Sequence, residues 1–192
     1  MTNKVKRQHF SKEEWLEAGL KELAEQGVEK LTINSLSRKV GVAKTSFYWH
    51  FKDRQDLLDH MLEYWASEFT FVVSENPQLP QLEPAQRLQI ILNTVIEQKL
   101  LKYELAICAW ASHDESAKAM FDSIYCRRMA VIRRAFADAG FDEDEQETRA
   151  QAFLCYQACG GVMQGDPHSH KRTAEKLIHT LFKKQPHATA IN

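Results

Sequence analysis

Leu31-Thr32-Ile33-Asn34-Ser35-Leu36-Ser37-Arg38-Lys39-Val40-Gly41-Val42-Ala43-Lys44-Thr45-Ser46-Phe47-Tyr48-Trp49-His50-Phe51 divides about a single glycine into two short helical segments. Thr32 is an N-cap residue, because its hydroxyl can accept from an otherwise orphaned N–H of the first helical turn. Ile33, Leu36 and Val40 recur on one face, and Gly41 ends the segment after little more than two turns. Beyond the Gly41-Val42 turn, Phe47 and Phe51 are spaced to point inward together, leaving a polar or amphipathic remainder. Neither segment is long enough to stand alone in water, so both must pack on another element.

That element lies upstream. Ser11 and Glu14 form an S-x-x-E capping box, and Phe10 before the cap and Trp15 after it are placed to close a hydrophobic staple. Leu16, Leu20 and Leu23 give the helix an apolar stripe, predicted over Lys12 to Gln26. Gly27 is expected as its left-handed stop, with Val28 covering Leu23. A longer helix followed by two short ones about a tight glycine turn predicts a helix-turn-helix, whose second member enters the DNA major groove. Lys44 suits phosphate or guanine acceptors, Thr45 and Ser46 suit phosphate or base edges, and Tyr48 and His50 can donate to backbone oxygens. Thr32 adds a phosphate contact from its cap. Lys52 and Arg54, and the arm of Lys4, Lys6 and Arg7 before the first cap, suit phosphate without sequence preference.

Charge agrees with this reading. Of 192 residues with net charge −1, residues 1–54 hold 11 Lys and Arg against 7 Asp and Glu, while residues 55–192 hold 14 against 19. A polyanion is held by local positive charge, so near-neutrality of the whole chain does not argue against DNA.

Downstream, Asp53 caps a connector helix over 53–73 carrying Leu57, Leu58, Met61, Leu62 and Trp65. Ser74 to Pro84, with three prolines, reads as a surface linker. Leu88 to Ile96 and Leu105 to Trp110 mark two further helices. Asp114 caps a long helix ending at Gly140, with Phe141 folding back on Phe136. Asp142 and Glu145 begin the next, and a last helix is expected near Arg172 to Lys184. Seven glycines, five prolines and sustained three- and four-residue periodicity make the chain all-α, with an N-terminal three-helix module and a larger C-terminal helical domain. Gly160 and Gly161 inside a helical pattern imply close helix–helix approach.

Other chemistries find little support. No apolar run reaches the ~18 residues of a membrane span, and the charged N-terminus is not signal-like, which predicts a cytoplasmic protein. Cys108, Cys126, Cys155 and Cys159 form no C-x-x-C pair and read as free, buried thiols. Cys108 and His113 diverge by about 140° around a helix, so they make no nucleophile pair and no enzyme is indicated. Cys155 and Cys159 share a helix face, which leaves a thiol-responsive regulator open as an alternative. His168 and His170 are half a metal site at most and read as loop residues; no metal or cofactor is expected.

Leu31-Thr32-Ile33, Leu36, Val40-Gly41-Val42 and Phe47-Tyr48-Trp49-His50-Phe51-Lys52-Asp53-Arg54 resemble the signature of the TetR family of repressors, over about Phe10 to Trp65. The resemblance implies a helix-turn-helix over 32–51 within a DNA-binding domain of residues 1–54, with Trp49 joining Lys44, Thr45, Ser46, Tyr48 and His50 at positions that commonly face DNA. Ala43 departs from it, standing where many relatives carry a side-chain cap. It further implies an effector-binding and dimerisation domain over 55–192. A homodimer on a palindromic operator would have its seam in the last two long helices, to which Phe153, Tyr156, Gly160, Gly161, Leu177 and Leu181 are assigned. A small-molecule pocket is implied among the middle helices, with Tyr103, Cys108, Trp110, His113, Met120, Phe121 and Tyr125 as candidate liners. Together these imply a ligand-responsive repressor; a helical adaptor that has lost DNA recognition is the remaining alternative.

Overall fold

A computed structural model describes residues 10–69, 77–97, 101–163 and 167–184. Among the described residues there are nine α-helices and no strand: α1 Lys12–Gln26, α2 Ile33–Val40, α3 Lys44–Phe47, α4 Arg54–Tyr64, α5 Pro84–Glu97, α6 Leu101–Ala111, α7 Glu115–Asp138, α8 Glu143–Met163 and α9 Pro167–Leu181. The all-α expectation holds. The chain forms two compact units, Met1–Thr70 with Lys102–Ile124, and Phe71–Leu101 with Tyr125–Asn192. A division at residue 54 therefore does not follow the contacts, since α4 belongs with the N-terminal helices.

The first unit is built on α1. The Ser11 and Glu14 side chains satisfy each other's backbone N–H at 3.2 and 2.7 Å, and Phe10 meets Trp15 edge to face at 5.3 Å. Trp15, Leu16, Leu20 and Leu23 are buried among Leu31, Leu36, Phe47, Phe51, Leu57 and Met61. Gly19 permits the close crossing of α1 and α4: a Cβ there would lie 2.6 Å from the Met61 sulfur. Gly27 has φ +80° and ψ 165°, which requires glycine but is not the left-handed stop expected. The chain instead continues into a 3-10 turn, Val28–Lys30, that delivers buried Leu31 to the core. After α4, a π-helical turn at Trp65–Phe69 buries Trp65, which stacks on Phe121.

The second unit packs α9 against α5 and α8. Leu88, Ile91, Leu92 and Val95 of α5 are buried, as are Ile132 and Phe136 of α7, Phe153 of α8, and Ile178 of α9. The Asp114 and Asp142 carboxylates cap α7 and α8, accepting from Ala117 and Glu145 at 2.9 Å. The end of α7 is as expected: Gly140 has φ +78°, Phe141 N–H reaches the Phe136 carbonyl at 3.2 Å, and the two rings meet at 5.9 Å.

Several expectations are corrected. Within 74–84, residues 74–76 lie outside the described residues, but Leu79 is buried in a 3-10 turn, so the segment is anchored. The last helix begins at Pro167 rather than near Arg172, because proline at a helix start lacks only an N–H that would be orphaned anyway. That places His168 and His170 in a helix, with His170 buried beside the Tyr156 ring. All four cysteines are free, as read, but exposed rather than buried.

Candidate nucleic-acid interface

α2 starts on a reciprocal cap, the Thr32 hydroxyl accepting from Ser35 N–H and the Ser35 hydroxyl from Thr32 N–H, each at 3.0 Å. Gly41 ends it in the left-handed conformation, φ 73° and ψ 22°. α3 follows Ala43, an N-cap position with no side-chain cap, and its helical hydrogen bonding persists past its single turn, Phe51 N–H reaching the Phe47 carbonyl at 3.0 Å. Phe47 and Phe51 are buried and Trp15 meets Phe47 edge to face at 5.5 Å, so the segment is bolted to α1 by its two inward rings.

Outward lie Lys44, Thr45, Tyr48 and Trp49, with the last two 57% and 64% exposed. Aromatic rings this open to water are unusual in a helical module, and beside lysine they offer a polyanion both charge and flat hydrogen-bonding surface. Thr32 and Lys52 are also exposed. The Lys52 backbone N–H bonds the Asp56 carboxylate at 2.8 Å, which fixes the start of α4.

Three assigned contacts are corrected. Ser46 is only 9% exposed; it sits beside Phe47 on the buried flank of a one-turn helix. His50 is half-buried, its Nε2–H donating to the Phe10 carbonyl at 2.9 Å. Arg54 turns back into its own module, with Nε–H on the Leu31 carbonyl and Nη2–H on the Val28 carbonyl, both at 2.6 Å. The interior thus claims the Arg54 guanidinium expected to meet phosphate. Lys6 and Arg7 lie outside the described residues.

The other two assigned sets are not assembled as expected. Trp110 is buried in the first unit's core, Tyr103, Met120 and Phe121 pack against that core, and Cys108, His113 and Tyr125 are exposed. None of the seven lines the described grooves of about 720 and 480 Å³. Of the dimer set, Phe153 and Leu181 are buried in their own chain and Tyr156 and Leu177 half-buried. Gly160 and Gly161 lie in α8, their surroundings outside the described residues.

A longer first helix carrying two short ones across a left-handed glycine, with a basic and aromatic edge turned outward, defines a helix-turn-helix of the nucleic-acid-binding class. Residues 16–61 match the family described as bacterial regulatory proteins, tetR family, so the likeness at the level of sequence rests on this module. The HTH-type transcriptional regulator AcrR of Shigella flexneri is 30% identical over 91 residues, covering 47% of this chain and 40% of that protein. The chain therefore covers less than half the length of this curated relative. Among solved structures, the TetR-family regulator PfmR of Thermus thermophilus is similar with a TM-score of 0.72, 14% identity and 93% and 98% of the two chains covered. AibR, solved in complex with isovaleryl coenzyme A and operator DNA, gives 0.71 at 16% identity over 89% and 97%. At such identities these structures speak for the all-helical fold alone.

Proposed function

We propose that this protein is a sequence-specific DNA-binding transcriptional regulator, a ligand-responsive repressor that binds a palindromic operator as a homodimer. The observation that carries the reading is the outward edge of Lys44, Thr45, Tyr48 and Trp49 on a segment pinned by Phe47 and Phe51. Lys44 meets phosphate or guanine, while Thr45, Tyr48 and Trp49 provide short-range contacts. Thr32 and Lys52 add phosphate contacts at the flanks, and the cationic Lys6 and Arg7 of the N-terminal arm add to them. One module gives weak selectivity; two on a twofold axis read half-sites about one DNA turn, ~34 Å, apart.

Because Phe153 and Leu181 serve their own chain's core, the seam falls on the exposed face of α8, where Gln151, Ala152, Cys155 and Cys159 lie. The small side chains of Ala152, Cys155 and Cys159 allow close approach of a second α8. A small-molecule effector acts through the C-terminal unit by binding the DNA-incompetent arrangement more tightly than the competent one, since only differential affinity shifts a population. The protein works in the cytoplasm and is not an enzyme. No helix among the described residues is long and apolar enough to cross a membrane.

Selection from a random-sequence duplex pool tests this directly. A regulator enriches one palindromic sequence, bound with a steep decline in affinity as salt rises. Enrichment of nothing would leave the adaptor reading in its place.

A further inference from the structure

The second unit holds a half-open groove of about 480 Å³ between α5 and α7, within the roughly 300–1,000 Å³ of small-molecule sites. Leu79, Leu88, Ile91, Val131 and Ala135 supply apolar lining. The polar groups gather on one rim, where Arg87 Nη2 and Arg134 Nε both reach the Asp138 carboxylate, at 2.7 and 2.8 Å. Two guanidiniums on one carboxylate leave one positive charge over. Arg87 is moreover incompletely satisfied, for its Nε–H is buried without a hydrogen-bond partner among the described residues. A buried charged donor without an acceptor is disfavoured and is relieved by any anion that brings one. An apolar trough with a surplus guanidinium on its rim is complementary to an amphipathic anion. It is a poor match for a cation or an uncharged polar solute.

We propose that this groove binds a medium-chain carboxylate, its head taken by Arg87 and Arg134 and its hydrocarbon laid along Leu88, Ile91 and Val131. A carboxylate accepts from a guanidinium fork through two parallel hydrogen bonds, which orients the head as well as holding it. Asp138 is the internal competitor for the same donors, so binding is an exchange of one carboxylate for another with the apolar contact as its driving force. As the identity of a regulatory ligand this rests on the repressor reading, but occupancy of the groove does not, and it is measured without DNA.

Isothermal titration of the full chain with decanoate, below its micellar concentration, and with decan-1-ol separates head from tail. Decanoate binds and decan-1-ol binds more weakly. Arg134→Ala, a change at an exposed side chain, weakens decanoate about five- to tenfold and leaves decan-1-ol unchanged. Asp138→Asn removes the competitor and tightens decanoate. Equal affinity for acid and alcohol, insensitivity of decanoate to Arg134→Ala, or no binding of either overturns the proposal. Because Arg87→Ala risks loosening α5 against α7, Val131→Glu is the second probe: it sets a like charge in the trough and abolishes decanoate binding while thermal unfolding stays cooperative. Operator selection on the same preparation reports separately on the regulator reading, so an empty groove with an enriched palindrome refutes only the ligand assignment.

Discussion

Arg54→Ala removes two charge-assisted hydrogen bonds, to the Leu31 and Val28 carbonyls at 2.6 Å. Hydrogen bonds to charged groups contribute about 1.5–3 kcal/mol each, and two in a buried setting would sum to about 3–6 kcal/mol. Two features lower that figure. Arg54 is only half-buried, so water partly replaces it, and the Val28 carbonyl keeps a second donor, the Leu31 N–H at 3.2 Å. The expected loss is therefore about 2–3 kcal/mol, read from urea unfolding as a lower midpoint at unchanged slope. A second measurement separates this role from phosphate contact. Each phosphate neutralised contributes about 0.9 to the slope of log affinity against log salt, and Arg54→Ala, assayed well below its melting temperature, leaves that slope at the wild-type value. Wild-type stability together with a slope reduced by about 0.9 per subunit would refute the inward assignment of Arg54.

Lys44→Ala has the opposite signature, with unfolding unchanged and the salt slope lower by about 0.9 per subunit; Tyr48→Ala likewise weakens operator binding in gel shift without unfolding the protein. Gly19→Val drives a branched side chain onto Met61 and destabilises by about 2–3 kcal/mol, a loss that Met61→Ala partly relieves in a double-mutant cycle; additive effects would dismiss the clash. Burial holds the His170 imidazole below its ordinary 6.5, so the unfolded chain takes up that proton at a higher pH than the folded one. The resulting stability is present above 6.5 and is lost as pH falls through the lowered native value. His170→Leu flattens that acid limb in chemical denaturation, and an unaltered limb would assign the pH dependence elsewhere. With all four thiols exposed in the single chain, Cys108 and Cys126 label at once with an aromatic disulfide reagent. Cys155 and Cys159 label only on dilution if α8 forms the seam, and one uniform rate at every concentration counts against it.

What the sequence made legible was what neighbours within a turn decide. The caps at Ser11, Thr32, Asp114 and Asp142 follow from a side chain meeting an N–H three residues on, and the stops at Gly41 and Gly140 from a backbone conformation that glycine tolerates. The inward turn of Phe47 and Phe51 followed from their spacing. What stayed hidden was decided by distant chain. The partners of His50 and Arg54 lie 40, 23 and 26 residues away, and nothing local tells a histidine or arginine that faces solvent from one that meets a carbonyl. Ser46 was lost because a one-turn helix has too few residues to define the width of its buried face. Cys155 and Cys159 were placed correctly on one face, but periodicity does not say whether another element covers it. The same ambiguity mixed core residues such as Phe153 and Trp110 into the dimer and pocket sets.

The inward rings of Phe47 and Phe51 and the outward side chains of Lys44, Thr45, Tyr48 and Trp49 occupy alternate sides of one brief segment. On the proposed reading, anchorage and recognition fall to different residues. Exchange of the outer set leaves the aromatic bolts in place, so a regulator of the proposed kind can acquire new target sequences by a few surface replacements without passing through an unfolded ancestor.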